Sequence, residues 1–192
     1  MELQKITVKV FAEEPNAVPL TDFIDIFHQW IQASDGVYHD VADYSHMQSG
    51  PGIVLVAGDA HINIDDTDAR RGLLYSQKSK LSGSNLERLS TVVQSALENC
   101  RRLEEEPALR GKLRFSGHRV EISVNDRSIA LNTGEAFEEI RPEIDFLARR
   151  LYSSTNFTLL RNQQDPRQRL NVTLSTPLAL ATRTLLHNLQ TI

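Results

Sequence analysis

The pattern of apolar and polar positions divides the chain into alternating and helical stretches. Residues 3–11 alternate, with Ile6, Val8 and Val10 on one face, which predicts a strand. From Pro19 to Ala33 the period changes. Leu20, Phe23, Ile24, Phe27, Trp30 and Ile31 form one stripe roughly 120° wide, as expected of a helix laid on a core. Asp22 and Asp25 fall on its wet side and His28 at the stripe's edge. Short strands are predicted at 37–44, 52–57, 60–65 and 72–77, punctuated by Gly36, Gly50-Pro51-Gly52, Gly58 and Gly72. A long helix follows, with Leu86, Leu89, Val93, Ala96, Leu97, Cys100 and Leu103 at helical spacing. It opens on a Ser84-x-x-Glu87 capping box and ends before Pro107.

Beyond Pro107 the pattern predicts strands at 113–116, 119–124 and 128–131, the last two joined by a turn at Asn125-Asp126. A helical stripe runs through Phe137, Ile140, Ile144, Leu147, Ala148 and Leu151. Pro142 interrupts its backbone ladder, which predicts a kink or two helices end to end. Strands at 156–161 and 168–175 precede a last helix, for which Thr176 is the cap, Pro177 the first position and Leu178, Ala181, Leu185 and Leu189 the stripe.

Strands in clusters with helices between them indicate an α+β class: a largely antiparallel mixed sheet packed by about four helices. The expected organisation is a single domain over 1–192. Its best internal boundary is 107–112, between an acidic βα-β-rich half (1–106) and a ββ(β)αββα half (113–192).

Composition narrows the class. With 192 residues, 40% of them hydrophobic, the chain can bury a core without covalent staples. One Cys excludes an internal disulfide and a cysteine-rich zinc site, and Cys100 falls on the buried stripe of its helix. No apolar run approaches the roughly 20 residues of a spanning helix, and residues 1–11 lack a signal peptide's apolar block. The reading is cytoplasmic, with no membrane contact.

The net charge of -4 is an average over unlike parts. Between Lys9 and Arg70 there is no Lys or Arg, and that segment carries eleven acids. From Arg70 onward, the 21 bases less Lys5 and Lys9 leave 19, against 13 acids, which are the 25 less those eleven and Glu2. The C-terminal basic group includes Arg141, Arg149, Arg150, Arg161, Arg167 and Arg169. Aromatic interleaving is sparse there and the overall pI is 5.9, which disfavours nucleic acid as a partner. Phe146, opposite its helix's apolar stripe, is an apolar residue that another element or a partner must cover.

Candidate chemistry gathers in the base-free segment. Tyr38-His39-Asp40-Val41-Ala42-Asp43-Tyr44-Ser45-His46 joins imidazoles and carboxylates, the groups that hold zinc or another divalent ion or act as a general acid/base pair. An extended 37–44 puts His39 and Asp43 on one face and Tyr38, Asp40 and Tyr44 on the other. The plainer alternative is a strand end in which Asp43 caps the turn and His46 is a solvated loop residue. Strict alternation in His61-Ile62-Asn63-Ile64-Asp65 turns His61, Asn63 and Asp65 outward together, ahead of Asp66 and Asp68. If the two clusters met, the metal ligands would be His39, Asp43, His46, His61 and Asp65, a 2-His-1-carboxylate or similar set for a divalent cofactor, with Asp43 and His46 as the catalytic pair.

Two functions are therefore expected from this reading. The first is a binding or assembly module that meets a protein partner, or its own copies in a homo-oligomer, through complementary charge. The alternative is a metal-dependent or acid/base enzyme of hydrolase type built on the His/Asp cluster of residues 39–68.

Overall fold

The alternation at the N-terminus does form a strand. A computed structural model of the chain describes residues 1–126, 128–162, 165 and 167–190. In it Ile6–Ala12 is β1, followed by α1 (Asp22–Ala33), β2 (Tyr38–Tyr44), β3 (Gly52–Ala57), β4 (Ala60–Asp65) and β5 (Gly72–Gln77). The second part comprises α2 (Asn85–Glu105), β6 (Phe115–Val124), α3 (Gly134–Tyr152), β7 (Thr158–Arg161), β8 (Leu170–Ser175) and α4 (Thr182–Gln190). Among the described residues the strands form one sheet in the order β2-β3-β4-β5-β1-β6-β8-β7. Every neighbouring pair is antiparallel, so the class is α+β as expected, with no parallel pairing.

Each half winds the same way: a central strand, a helix, a meander and a closing helix. β1 and β6 meet at the middle of the sheet, each flanked by the last meander strand of its own half, β5 or β8. The meander of the second half has two strands where that of the first has four. This repeat of path leaves no trace as a repeat of residues. The sheet is continuous across 107–112, and the central β1–β6 ladder joins what lies on either side of that stretch.

Register explains why the helices lie on one face only. Ile6, Val8 and Val10 of β1 stand opposite Val124, Ile122 and Val120 of β6, and side chains opposite one another share a face. Leu73, Tyr75, Ile62, Ile64, Ile53, Leu55, Val172 and Leu174 continue that face and pack into one core with the buried stripes of the four helices. The stripe of α1 is shifted from the expected one: Ile26 is buried while Ile24 and Ile31 are only half covered. Helix α2 begins as its capping box requires, with Ser84 Oγ accepting from the Glu87 amide and the Glu87 carboxylate accepting from the Ser84 amide at 2.7 Å.

Three expectations are corrected. Residues 128–131 form no strand; they turn on Asp126, whose carboxylate accepts from Ser128, and contribute a single bridge from Leu131 to Arg169. Helix α3 runs through Pro142 as one element rather than as two helices end to end. The last helix starts five residues late, at Thr182: Thr176 accepts from the Leu178 amide as a cap would, while its amide donates to the His118 carbonyl and its hydroxyl to the Asn156 carbonyl, but no helix follows it directly. The chain then stays extended, with the Gly117 amide donating to the Leu180 carbonyl and Ala181 bridging Ser116, before α4 begins. Among the described residues, no helix is long and apolar enough to cross a membrane.

Candidate functional site

With four helices on one face, the other face of the sheet is bare, and its centre is a cleft of about 1700 Å³ crossed by β4, β5, β1, β6 and β8. The residues there are the polar partners of the core alternation. Thr7 stands between Ser76 and Ser123, and Lys9 between Leu74 and Glu121; Asn63 lies opposite Leu74, and Thr173 opposite Glu121. Among the described residues, eight Lys and Arg line the cleft against three acids, Asp65, Asp68 and Glu121, an excess of five positive charges.

The floor is dense enough to bury charge. Lys9 and Asp65 are 6% and 4% exposed and form an ion pair of 2.5 Å, with Asp65 also accepting from the Thr67 hydroxyl and amide. Glu121 accepts from Arg70 at 3.0 Å and Arg119 at 2.6 Å. The ring of Phe11 serves all three cations: Lys9 Nζ and the Arg70 and Arg119 guanidinium carbons lie 5.1–5.4 Å from its centroid. Cations over an aromatic face are held by the ring quadrupole, so Phe11 keeps three like charges together beside two carboxylates. Removing Lys9 alone would strand Asp65 in a desolvated site, a change that costs about 3–5 kcal/mol in buried pairs.

The cluster read from the sequence does not assemble. A β-bulge between Tyr38 and Asp40 shifts β2 by one residue, so Tyr38, Val41 and Asp43 stand opposite Ala57, Leu55 and Ile53, on the helix side. Tyr38 thus shares a face with Asp43 rather than with Asp40, and its hydroxyl accepts from Arg102 of α2. Asp43 is exposed and accepts from the Ser45 amide at 2.8 Å; its bonds to Ser45 hold its carboxyl below the usual range. That is a turn cap. His46 lies exposed in the turn, and His39 sits in the bulge with its imidazole beside Gly58. His61 and Asp65 occupy the opposite, bare face. Among the described residues, no three His, Cys, Asp or Glu side chains are placed to hold a metal ion. The acid/base and ligand set His39, Asp43, His46, His61 and Asp65 is divided between two faces of the sheet, and Asp65 is taken by Lys9.

The bare face was legible only in part. Alternation in 3–11 and 60–65 implies that Thr7, Lys9, His61, Asn63 and Asp65 look away from the core, but which strands stand beside them is a matter of topology. Arg161, Arg167 and Arg169, grouped from the sequence with the α3 arginines, line the cleft instead. Phe146 is 50% exposed on the outer side of α3. No protein-family model matches the chain, and neither a curated protein nor a solved structure matches it.

Proposed function

We propose that this chain is a cytoplasmic binding module whose bare sheet face takes up an acidic segment of a protein partner. The observation that carries this reading is the excess of cations over acids in the cleft among the described residues, on the face of the sheet opposite the helices. A focused positive potential raises the encounter rate with an acidic partner and selects its register. The surrounding Ser, Thr and Asn side chains give hydrogen-bonding capacity without adding charge.

A protein fits this face better than a nucleic acid. Single strands are held by exposed aromatic platforms, and among the described residues no Phe, Tyr or Trp lines this cleft; the ring of Phe11 beside it is already taken by three cations. Pairing of copies through the sheet edges is opposed by the edges themselves. β2 carries a bulge and two Asp residues, devices that blunt strand addition, and β7 is only four residues long.

Fluorescence anisotropy with labelled poly-L-glutamate tests the reading. Binding is expected at low salt and is expected to weaken as salt rises. Arg119→Ala with Arg169→Ala should weaken it roughly tenfold, whereas Arg141→Ala with Arg149→Ala on the outside of α3 should leave it within a factor of about two. Absence of binding at low salt, or equal losses in the two variants, would overturn the proposal.

A further inference from the structure

Among the described residues of the cleft, Asn63 Oδ1 and Arg119 Nε are buried without a hydrogen-bond partner; Arg119 is bonded to Glu121 through its Nη2, which leaves Asn63 as the polar side chain the fold does not use. It sits in the interior strand β4 between Ile62 and Ile64, which enter the core, and it is 8% exposed. Its cross-strand neighbours are Val54 and Leu74, neither of which can bond it. The polar residues on its own strand and face are His61 and Asp65, roughly 7 Å away along the strand, and Asp65 is engaged by Lys9 and Thr67. Its Oδ1 is buried with no hydrogen-bond partner. A buried, unpaired carboxamide destabilises the free protein, and a Leu of similar size would not. The face therefore retains a polar group that the fold itself does not need.

The chemistry of that group indicates what meets it. A carboxamide offers one acceptor oxygen and one donor nitrogen, and a half-turn about its last torsion exchanges their places. Its complement is another amide, which can both donate and accept; a phosphate or carboxylate can only accept. Val54 and Leu74 on either side supply apolar walls for the methylenes of a chain lying there. Along the same row of the sheet, Leu74, Lys9 and Glu121 follow Asn63 in successive strands, so the Arg70–Glu121–Arg119 cluster lies three strand spacings away, roughly 14 Å. An extended chain covers that distance in about four residues.

We infer that Asn63 reads the backbone of the bound segment: its side chain pairs with one peptide group of an extended acidic polypeptide, and a carboxylate about four residues along that polypeptide meets Arg70 and Arg119. This inference rests on the proposed function above and names its occupant as polypeptide by a second feature, independent of charge.

The test compares wild type with Asn63→Leu using three labelled probes: poly-L-glutamate, polyphosphate and a single-stranded oligothymidylate. The variant is expected to lose roughly tenfold in affinity for poly-L-glutamate, with polyphosphate affinity unchanged within about twofold. Its thermal midpoint is expected to rise, because the unpaired amide is gone, and that rise also reports that the variant folds. Unchanged poly-L-glutamate affinity, a parallel loss for polyphosphate, or a lowered midpoint would each overturn the role of Asn63. Tighter wild-type binding of polyphosphate or oligothymidylate than of poly-L-glutamate would overturn the polypeptide occupant while leaving the cationic face intact. No low-salt binding of any probe would remove the function reading itself, so the two failures are distinguishable.

Discussion

Gly52 adopts a φ of +65°, and a Cβ built on it would lie 1.9 Å from the Ile64 carbonyl oxygen across the β3–β4 ladder. Both facts follow from the same need, to bring the chain out of the Gly50-Pro51 turn directly against β4. Gly52→Ala is therefore expected to lower stability by about 2–4 kcal/mol, measured by urea unfolding. His61, at the other end of β4, shows a titration effect of the bare face. Partial burial, and then the Lys78 ammonium, lower its pKa from the ordinary 6.5. The unfolded chain then binds the proton more tightly than the folded one, so stability is lost as the pH falls from 6.5 through the lower folded-state value. Thermal midpoints should decline on acidification through that range, and His61→Gln should make the decline shallower. Among single residues, the outward direction of His61, Asn63 and Asp65 was legible from strict alternation. The partners of Asp65 were not, because Lys9 reaches it from 56 residues away.

At the scale of elements, local chemistry carried most of the boundaries. The Ser84–Glu87 box is formed as written, since both partners lie within one turn and need no other element. Ser84→Ala should cost about 1 kcal/mol, read as a lowered thermal midpoint with the fold unchanged. Where expectation failed, a long-range partner had won. Thr176 and Pro177 have the form of a helix start, and the Thr176 hydroxyl accepts from the Leu178 amide as a cap would, yet the chain beyond them is drawn to the distant Ser116 and Gly117, which pair with Ala181 and Leu180. The bulge in β2 is the same lesson in a strand. One extra residue at His39 reverses the face of everything before it, and period-two reading has no signal for such an insertion. That single shift moves Tyr38 to the side of Arg102, whose guanidinium carbon lies 3.6 Å from the Trp30 ring centroid and ties α1, α2 and β2 together.

At the scale of the molecule, the uneven charge of the sequence becomes uneven charge in space. β2, β3 and β4, from the base-free segment, occupy one end of the sheet, and β8 and β7, flanked by Arg161, Arg167 and Arg169, occupy the other. The cleft lies between them and takes its positive excess from both central strands and the Arg-bearing end. The continuous sheet also bears on how the halves depend on one another. A fragment ending at Lys112 would lose β6 and leave the full length of β1 as an unpaired, apolar edge. Expressed alone, it is expected to aggregate or remain unfolded by circular dichroism. Intact protein cleaved within 107–112 is expected to stay together through gel filtration, because the β1–β6 ladder does not pass through that loop.

Read by itself, the sequence determined those features whose partners are close along the chain: the helix stripes, the meander strands, the capping box, the antiparallel α+β class and the sequence-level separation of acid from base. These rest on periodicity and on contacts within a turn, which short-range residue order encodes. Tertiary structure alone decided which strands are neighbours, and with that the site. Placing β1 beside both β5 and β6 joined Lys9, Asp65, Arg70, Arg119 and Glu121 around Phe11, while the β2–β3 register put Asp43 on the helix side, away from His61. Contacts across a sheet depend on strand order and register, and neither is written in any local stretch of residues.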